Sequence, residues 1–265
     1  MPRPAAFLII LLCGLVSGGA GALAQSAPLP RAAPHPKSKP AEAAKPEILP
    51  PPRSMAQAAA APAPKPPIPV LPNTKAFVPN GKPAKLDASQ RALVEKVSAY
   101  LSSMQNLVGQ FVQVGPDGSR TTGDFYIQKP GKVRFEYNPP SVIEIIADGS
   151  SVAVRDRKLA TQDLYSLSQT PLRYLVADKI DLLKDTSLIG VHADEVFVTL
   201  VLEEKSAIAG THRLLLMFGA KDLQLRQWTV TDPQGYDTTV AVYNLDSNKR
   251  PDPSMFQINY QRLIQ

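Results

Sequence analysis

Cysteine is nearly absent. The chain has 265 residues and one cysteine, Cys13, inside the N-terminal apolar stretch. No disulfide framework, thiolate nucleophile or cysteine-based metal site is therefore expected. Histidine is almost as scarce: His35, His192 and His212 have no metal-type spacing to one another or to Asp and Glu. Ser150 and Ser151 follow Gly149, but there is no G-x-S-x-G elbow, no G-x-G-x-x-G turn and no phosphate-cradling loop. The carboxylate pairs Asp194/Glu195 and Glu203/Glu204 are adjacent in sequence, so on a strand each pair points to opposite faces. They make poor general acid–base pairs. No strand–helix–strand rhythm repeats, which argues against a parallel α/β fold. These absences move the expectation from catalysis to binding: not an enzyme, no cofactor, no metal.

Proline and positive charge, in contrast, are abundant but confined. Nineteen of the 27 prolines fall in residues 1–85. Residues 25–85 hold nine Lys/Arg against two Asp/Glu, whereas residues 86–265 hold 19 against 21. The globular part is slightly acidic, which argues against a nucleic-acid-binding domain. The chain thus divides into a Pro/Ala-rich basic front and an ordinary globular back.

The front begins with an address. Arg3 is followed by an apolar run from Phe7 to Val16, then by small residues ending in Ala22, Leu23 and Ala24. That is the layout of a secretory signal peptide, with cleavage expected after Ala24. Cys13 is not read as a lipid-attachment site, because Leu12 precedes it where a small residue is required. Residues 25–85 carry 17 prolines and cannot bury enough apolar surface to offset the entropy of ordering. A disordered basic linker is expected, with a limiting reach of roughly 190 Å at about 3.1 Å per residue.

From Asp87 the pattern changes. Leu93, Val97, Tyr100, Leu101 and Met104 recur at helical spacing, which predicts a helix over 88–104 capped by Asp87. Strand signals follow at 111–114, 123–128, 133–137, 141–147, 151–155, 196–202, 212–218, 225–231, 238–243 and 256–260, with turns at 115–118, 148–149 and 232–235. Residues 160–185 carry helical spacing, with Thr170 and Pro171 as a helix start. The expectation is a mainly β fold, one large antiparallel sheet interrupted by short helices. In 196–202 and 214–218 both faces are apolar, so either both are covered or one faces a ligand. Which face of 196–202 looks inward stays open.

The run GDFYIQKPGKVRFEYNPP over 123–140 resembles the family of the periplasmic outer-membrane lipoprotein carrier, LolA. IEIIADG at 143–149, Thr170-Pro171-Leu172 with Leu175, DPQG at 232–235 and FVQ at 111–113 match the family in order. The likeness spans about residues 88–260. It implies an incomplete antiparallel β-barrel (a half-barrel) whose open mouth is covered by a helical lid. Its apolar concave face would shelter lipoprotein acyl chains. It further implies a monomeric periplasmic carrier with outer-membrane-directed lipoproteins as cargo, loaded by the inner-membrane transporter LolCDE and unloaded to the receptor LolB where one exists. No nucleic acid is involved.

On this resemblance the lipid-binding positions are Val133, Phe135 and Tyr137 on one strand, Ile143 and Ile145 on the next, and Leu214, Leu216 and Phe218 opposite Leu215 and Met217. Lid positions are Leu164, Leu167, Leu172 and Leu175. Each also reads as plain core. Lys129 occupies the place of the family's basic latch residue, where Arg is common; the latch is then weaker, or Arg134 or Arg173 contributes instead. Three rival readings stand beside the carrier. They are a half-barrel lipid or lipoprotein sensor, an envelope adaptor working through the Pro-rich tail, and a hydrolase using Asp148 or His212.

Overall fold

The structure, a computed structural model, describes residues 66–70, 85–206 and 210–261. The expected signal peptide, Cys13, His35 and most of the linker lie outside the described residues. The globular part opens with helix α1, Ala88–Ser103, where the sequence predicts it. Asp87 and Gln90 form a capping box: the Asp87 carboxylate accepts from the Gln90 N–H, and the Gln90 side chain accepts from the Asp87 N–H. Val94, Val97 and Leu101 form its buried stripe.

Eleven strands follow. They are β1 (Asn106–Val114), β2 (Arg120–Gln128), β3 (Lys132–Tyr137), β4 (Ile143–Asp148), β5 (Ser151–Asp156), β6 (Thr161–Ser166), β7 (Leu188–Ala193), β8 (Phe197–Ser206), β9 (Gly210–Gly219), β10 (Leu225–Thr231) and β11 (Asp237–Asp246). They form one sheet in the order β6-β5-β4-β3-β2-β1-β11-β10-β9-β8-β7, antiparallel throughout. The first and last strands pair at the centre, so β6 and β7 become the two edges. The segment joining those edges, residues 167–187, holds a 3-10 turn, Leu167–Gln169, and the short helix α2, Arg173–Val176. One connection therefore runs from edge to edge, and its apolar residues pack with α1 against one face of the sheet.

That face is the interior. Buried residues of ten strands, including Phe111, Phe125, Phe135, Ile145, Leu200, Leu216 and Trp228, join α1 and the connection in a single cluster. The opposite face carries two smaller clusters: Ile146, Ala153 and Ile258, and Ile189, Val201 and Leu215. This resolves the two-faced apolar runs. In β8, Val198, Leu200 and Leu202 look inward while Val201 looks outward.

Three expectations need correction. Residues 161–166 are strand β6, not helix; it pairs with β5 along its whole length, and that ladder overrides the leucine spacing. Thr170 does not cap a helix: its hydroxyl donates back to the Leu167 carbonyl, and α2 begins only at Arg173. Residues 256–260 are not a strand. A 3-10 turn, Pro253–Phe256, leads into a segment on the outer face, where the Gln162 side chain donates to the Asn259 carbonyl and Tyr260 donates to Asp148.

Candidate functional site

The interior is built on aromatic rings. Phe111 sets its edge against both Phe135 and Tyr137, at centroid distances of 5.4 and 5.0 Å. Phe135 stacks on Phe125 at 6.0 Å and meets Trp228 edge-on at 6.2 Å. β3 places Phe135 at the hub because Val133, Phe135 and Tyr137 share one face by the strand's period of two. Polar groups here are satisfied locally: the Tyr137 hydroxyl donates to the Gln113 side-chain oxygen at 2.7 Å. Across the sheet, Leu214, Leu216 and Phe218 of β9 face the same interior.

The lid consists of α1 and residues 167–187. Leu167, Leu172, Leu175, Ile180 and Leu182 enter the interior cluster with the α1 stripe. Two serines join the two parts. The Leu182 N–H donates to Ser98 Oγ and the Ile180 N–H to Ser102 Oγ, both at 3.1 Å. The serines stand one helical turn apart, so both meet the same neighbouring segment.

Among the polar ties between the lid and the sheet, two involve basic residues expected as a latch. The first is the β2–β3 turn. Lys129 Nζ donates to the Leu101 carbonyl in the last turn of α1, its N–H donates to the Gln105 carbonyl at 2.8 Å, and the Gly131 N–H donates to the Val176 carbonyl at 2.8 Å. One turn thus grips the ends of both lid helices. Lys129 is only 7 % exposed. Burial pushes its ammonium down to about 8, partly opposed by the negative charge of Asp178. The second tie is Arg173. It pairs with Glu204 on β8 at 2.7 Å, donates to the Ser168 carbonyl at 2.7 Å, and lies 4.4 Å from the centre of the Tyr174 ring. Two cavities border the lid. One of about 280 Å³ is lined by Tyr100, Met104, Leu107 and Leu245, and one of about 350 Å³ by Ser98, Ser102, Ile180 and Leu183.

Most of the residues singled out from sequence meet here. Val133, Phe135, Tyr137, Ile145, Leu167, Leu172, Leu175, Leu214, Leu216 and Phe218 belong to the interior cluster, and Ile143 packs against it. Lys129 and Arg173 touch lid elements. Two residues lie elsewhere. Leu164 is on β6 and packs outward with Ile146, Ala153 and Ile258. Arg134 also points outward, because it alternates with Val133 and Phe135 on β3. Its partners are Glu136, Glu144 and the Met255 carbonyl of the C-terminal segment, so it does not reach the lid. Ser98, Ser102 and Glu204 were missed. Two serines four apart beside an apolar helical stripe were the available signal for the first two. Among the described residues, no group of three or more His, Cys, Asp and Glu could hold a metal ion.

The family model described as outer membrane lipoprotein carrier protein LolA matches residues 102–259. The outer-membrane lipoprotein carrier protein of Methylococcus capsulatus is 27% identical over 173 residues, covering 62% of this chain and 82% of that protein. That of Methylobacillus flagellatus is 27% identical over 177 residues, covering 62% and 83%. A solved LolA superfamily protein from Nitrosomonas europaea is 11% identical, covers 63% of this chain and 98% of its own, and superposes with a TM-score of 0.36.

Proposed function

Because this chain belongs to the LolA family of outer membrane lipoprotein carrier proteins, we propose that it is a periplasmic carrier. It would receive lipoproteins released from the inner membrane, shelter their acyl chains between the sheet and the lid, and pass them to the outer membrane. Proteins of this family are carriers, not enzymes. The observation that carries the reading is the interior itself: an aromatic and aliphatic sheet face, closed by a lid that packs its own apolar side chains against it.

Magnitudes favour reversible exchange. A lipoprotein acyl chain of about fifteen methylenes gains roughly 12 kcal/mol on leaving water, at about 0.8 kcal/mol per CH₂. Leu167, Leu172, Leu175, Ile180 and Leu182 now fill part of the interior. Exposing them costs roughly 1.5–3 kcal/mol each, about 8–15 kcal/mol together. One acyl chain and the lid are therefore near-equal competitors for the same surface, and small partner contacts can tip the balance either way.

In this reading LolCDE loads the carrier, LolB or the outer membrane unloads it, and the protein works as a monomer. Residues 1–24 direct export and are removed, and residues 25–85 act as a basic linker. The test is a release assay. Residues 25–265 are added to spheroplasts making a labelled outer-membrane lipoprotein. The reading expects label in the medium, bound to the protein, and much less with Phe135→Glu. No release by a folded protein of native mass would overturn it for that cargo.

A further inference from the structure

Five residues of the proline-rich segment, 66–70, are placed against the sheet, on the face away from the interior. Trp228 and Val230 of β10 look inward, so Gln227 between strand neighbours looks outward. Its side-chain amide pairs with one residue's backbone. The Val70 N–H donates to Gln227 Oε1 at 2.9 Å, and Gln227 Nε2 donates to the Val70 carbonyl at 2.6 Å. A neighbouring strand would offer the same pair of bonds. Gln227 is 3 % exposed, so leaving these groups unmatched would be costly.

A second anchor lies three strands away. Arg120 of β2 donates to the Pro67 carbonyl at 3.2 Å. β1 and β11 separate β2 from β10, a gap of roughly 14 Å at about 4.8 Å per strand. Residues 67 to 70 span about 9 Å as polyproline II, and the long Arg120 side chain supplies the rest. The segment therefore crosses the strands instead of extending an edge. Gln227 pairs with Ala241, and Ala241 with Val112. These outward neighbours are 4 % and 0 % exposed. Within the segment Pro69 is buried, while Ile68 is 85 % exposed.

We propose that the outer face of β10, β11, β1 and β2 is a docking site for an extended proline-containing segment, and that its occupant is the chain's own residues 66–70. The site reads a buried proline followed by a residue with a free N–H and carbonyl. Val70 supplies both, whereas Pro66, Pro67 and Pro69 have no N–H to give. Prolines lower the entropy lost on docking, and the short chain to α1 keeps the local concentration high. The result is a strap in which residues 66–70 lie on the side of the sheet opposite the lid. This does not depend on what the interior carries.

Amide exchange on ¹⁵N-labelled residues 25–265 tests it. The Val70 amide should exchange at least tenfold more slowly than in Gln227→Ala. Because that change empties a buried site, Val70→Pro serves as the second variant. It leaves the sheet untouched and should move the Gln227 side-chain amide signals to those of a solvated glutamine. Protection should persist through hundredfold dilution. A Val70 amide exchanging as in an unstructured peptide, or unchanged Gln227 signals in Val70→Pro, would overturn the site. Protection lost on dilution would assign the occupant to a second copy and overturn the strap.

Discussion

Lys129 is nearly enclosed, yet it carries the side chain that meets the last turn of α1. Burial lowers its pKa from the ordinary 10.5 to about 8, because the charged form loses water. The unfolded chain keeps the ordinary value, so between about pH 8 and 10.5 it binds a proton that the folded chain has released. Stability should therefore rise with pH across that window, by on the order of 1–2 kcal/mol after screening. In Lys129→Met the rise should vanish, as read from the difference between the two thermal midpoints at pH 7 and pH 10. Two residues on, Gly131 adopts φ +75°, and a Cβ there would stand 2.6 Å from the Gly149 Cα. Gly131→Ala should cost at least about 2 kcal/mol in urea unfolding, since neither backbone can yield cheaply. At this scale the sequence was informative about type and silent about direction. Strand alternation placed Phe135 inward, but the same alternation sends Arg134 outward to Glu136 and Glu144, and a latch role had drawn attention to its charge alone.

Among the elements, the lid is a composite of α1 and residues 167–187. Its two halves meet through Ser98 and Ser102, which accept the N–H groups of Leu182 and Ile180. Ser98→Ala and Ser102→Ala should each cost about 1 kcal/mol. Amide exchange at Ile180 and Leu182 should quicken, while that in β1 and β11 stays unchanged. Nine of the eleven strands announce themselves through alternation or apolar runs bounded by turns. β6 and β7 do not. They are the two sheet edges, paired on one side only: β6 is largely polar, and β7 is interrupted by Gly190. Neither shows the apolar–polar alternation that makes a strand legible: β6 has no buried position, and β7 is buried at four successive positions. Residues 256–260 err in the other direction. Their alternating pattern comes from lying over the outer face of β3 and β4, not from a ladder.

For the whole molecule, the proposed function turns on one asymmetry: of two largely buried sheet faces, the lid-covered one is the face proposed to take acyl chains. β9 lets a single strand decide this, because Leu216 faces the interior and its neighbour Leu215 faces the opposite side, both buried. A photoreactive phenylalanine analogue at either position leaves the chain otherwise alike. After loading with a lipoprotein whose acyl chains are labelled, irradiation should attach label to the position-216 protein and leave the position-215 protein nearly free of it. Equal labelling at the two positions, or stronger labelling at 215, would contradict the account.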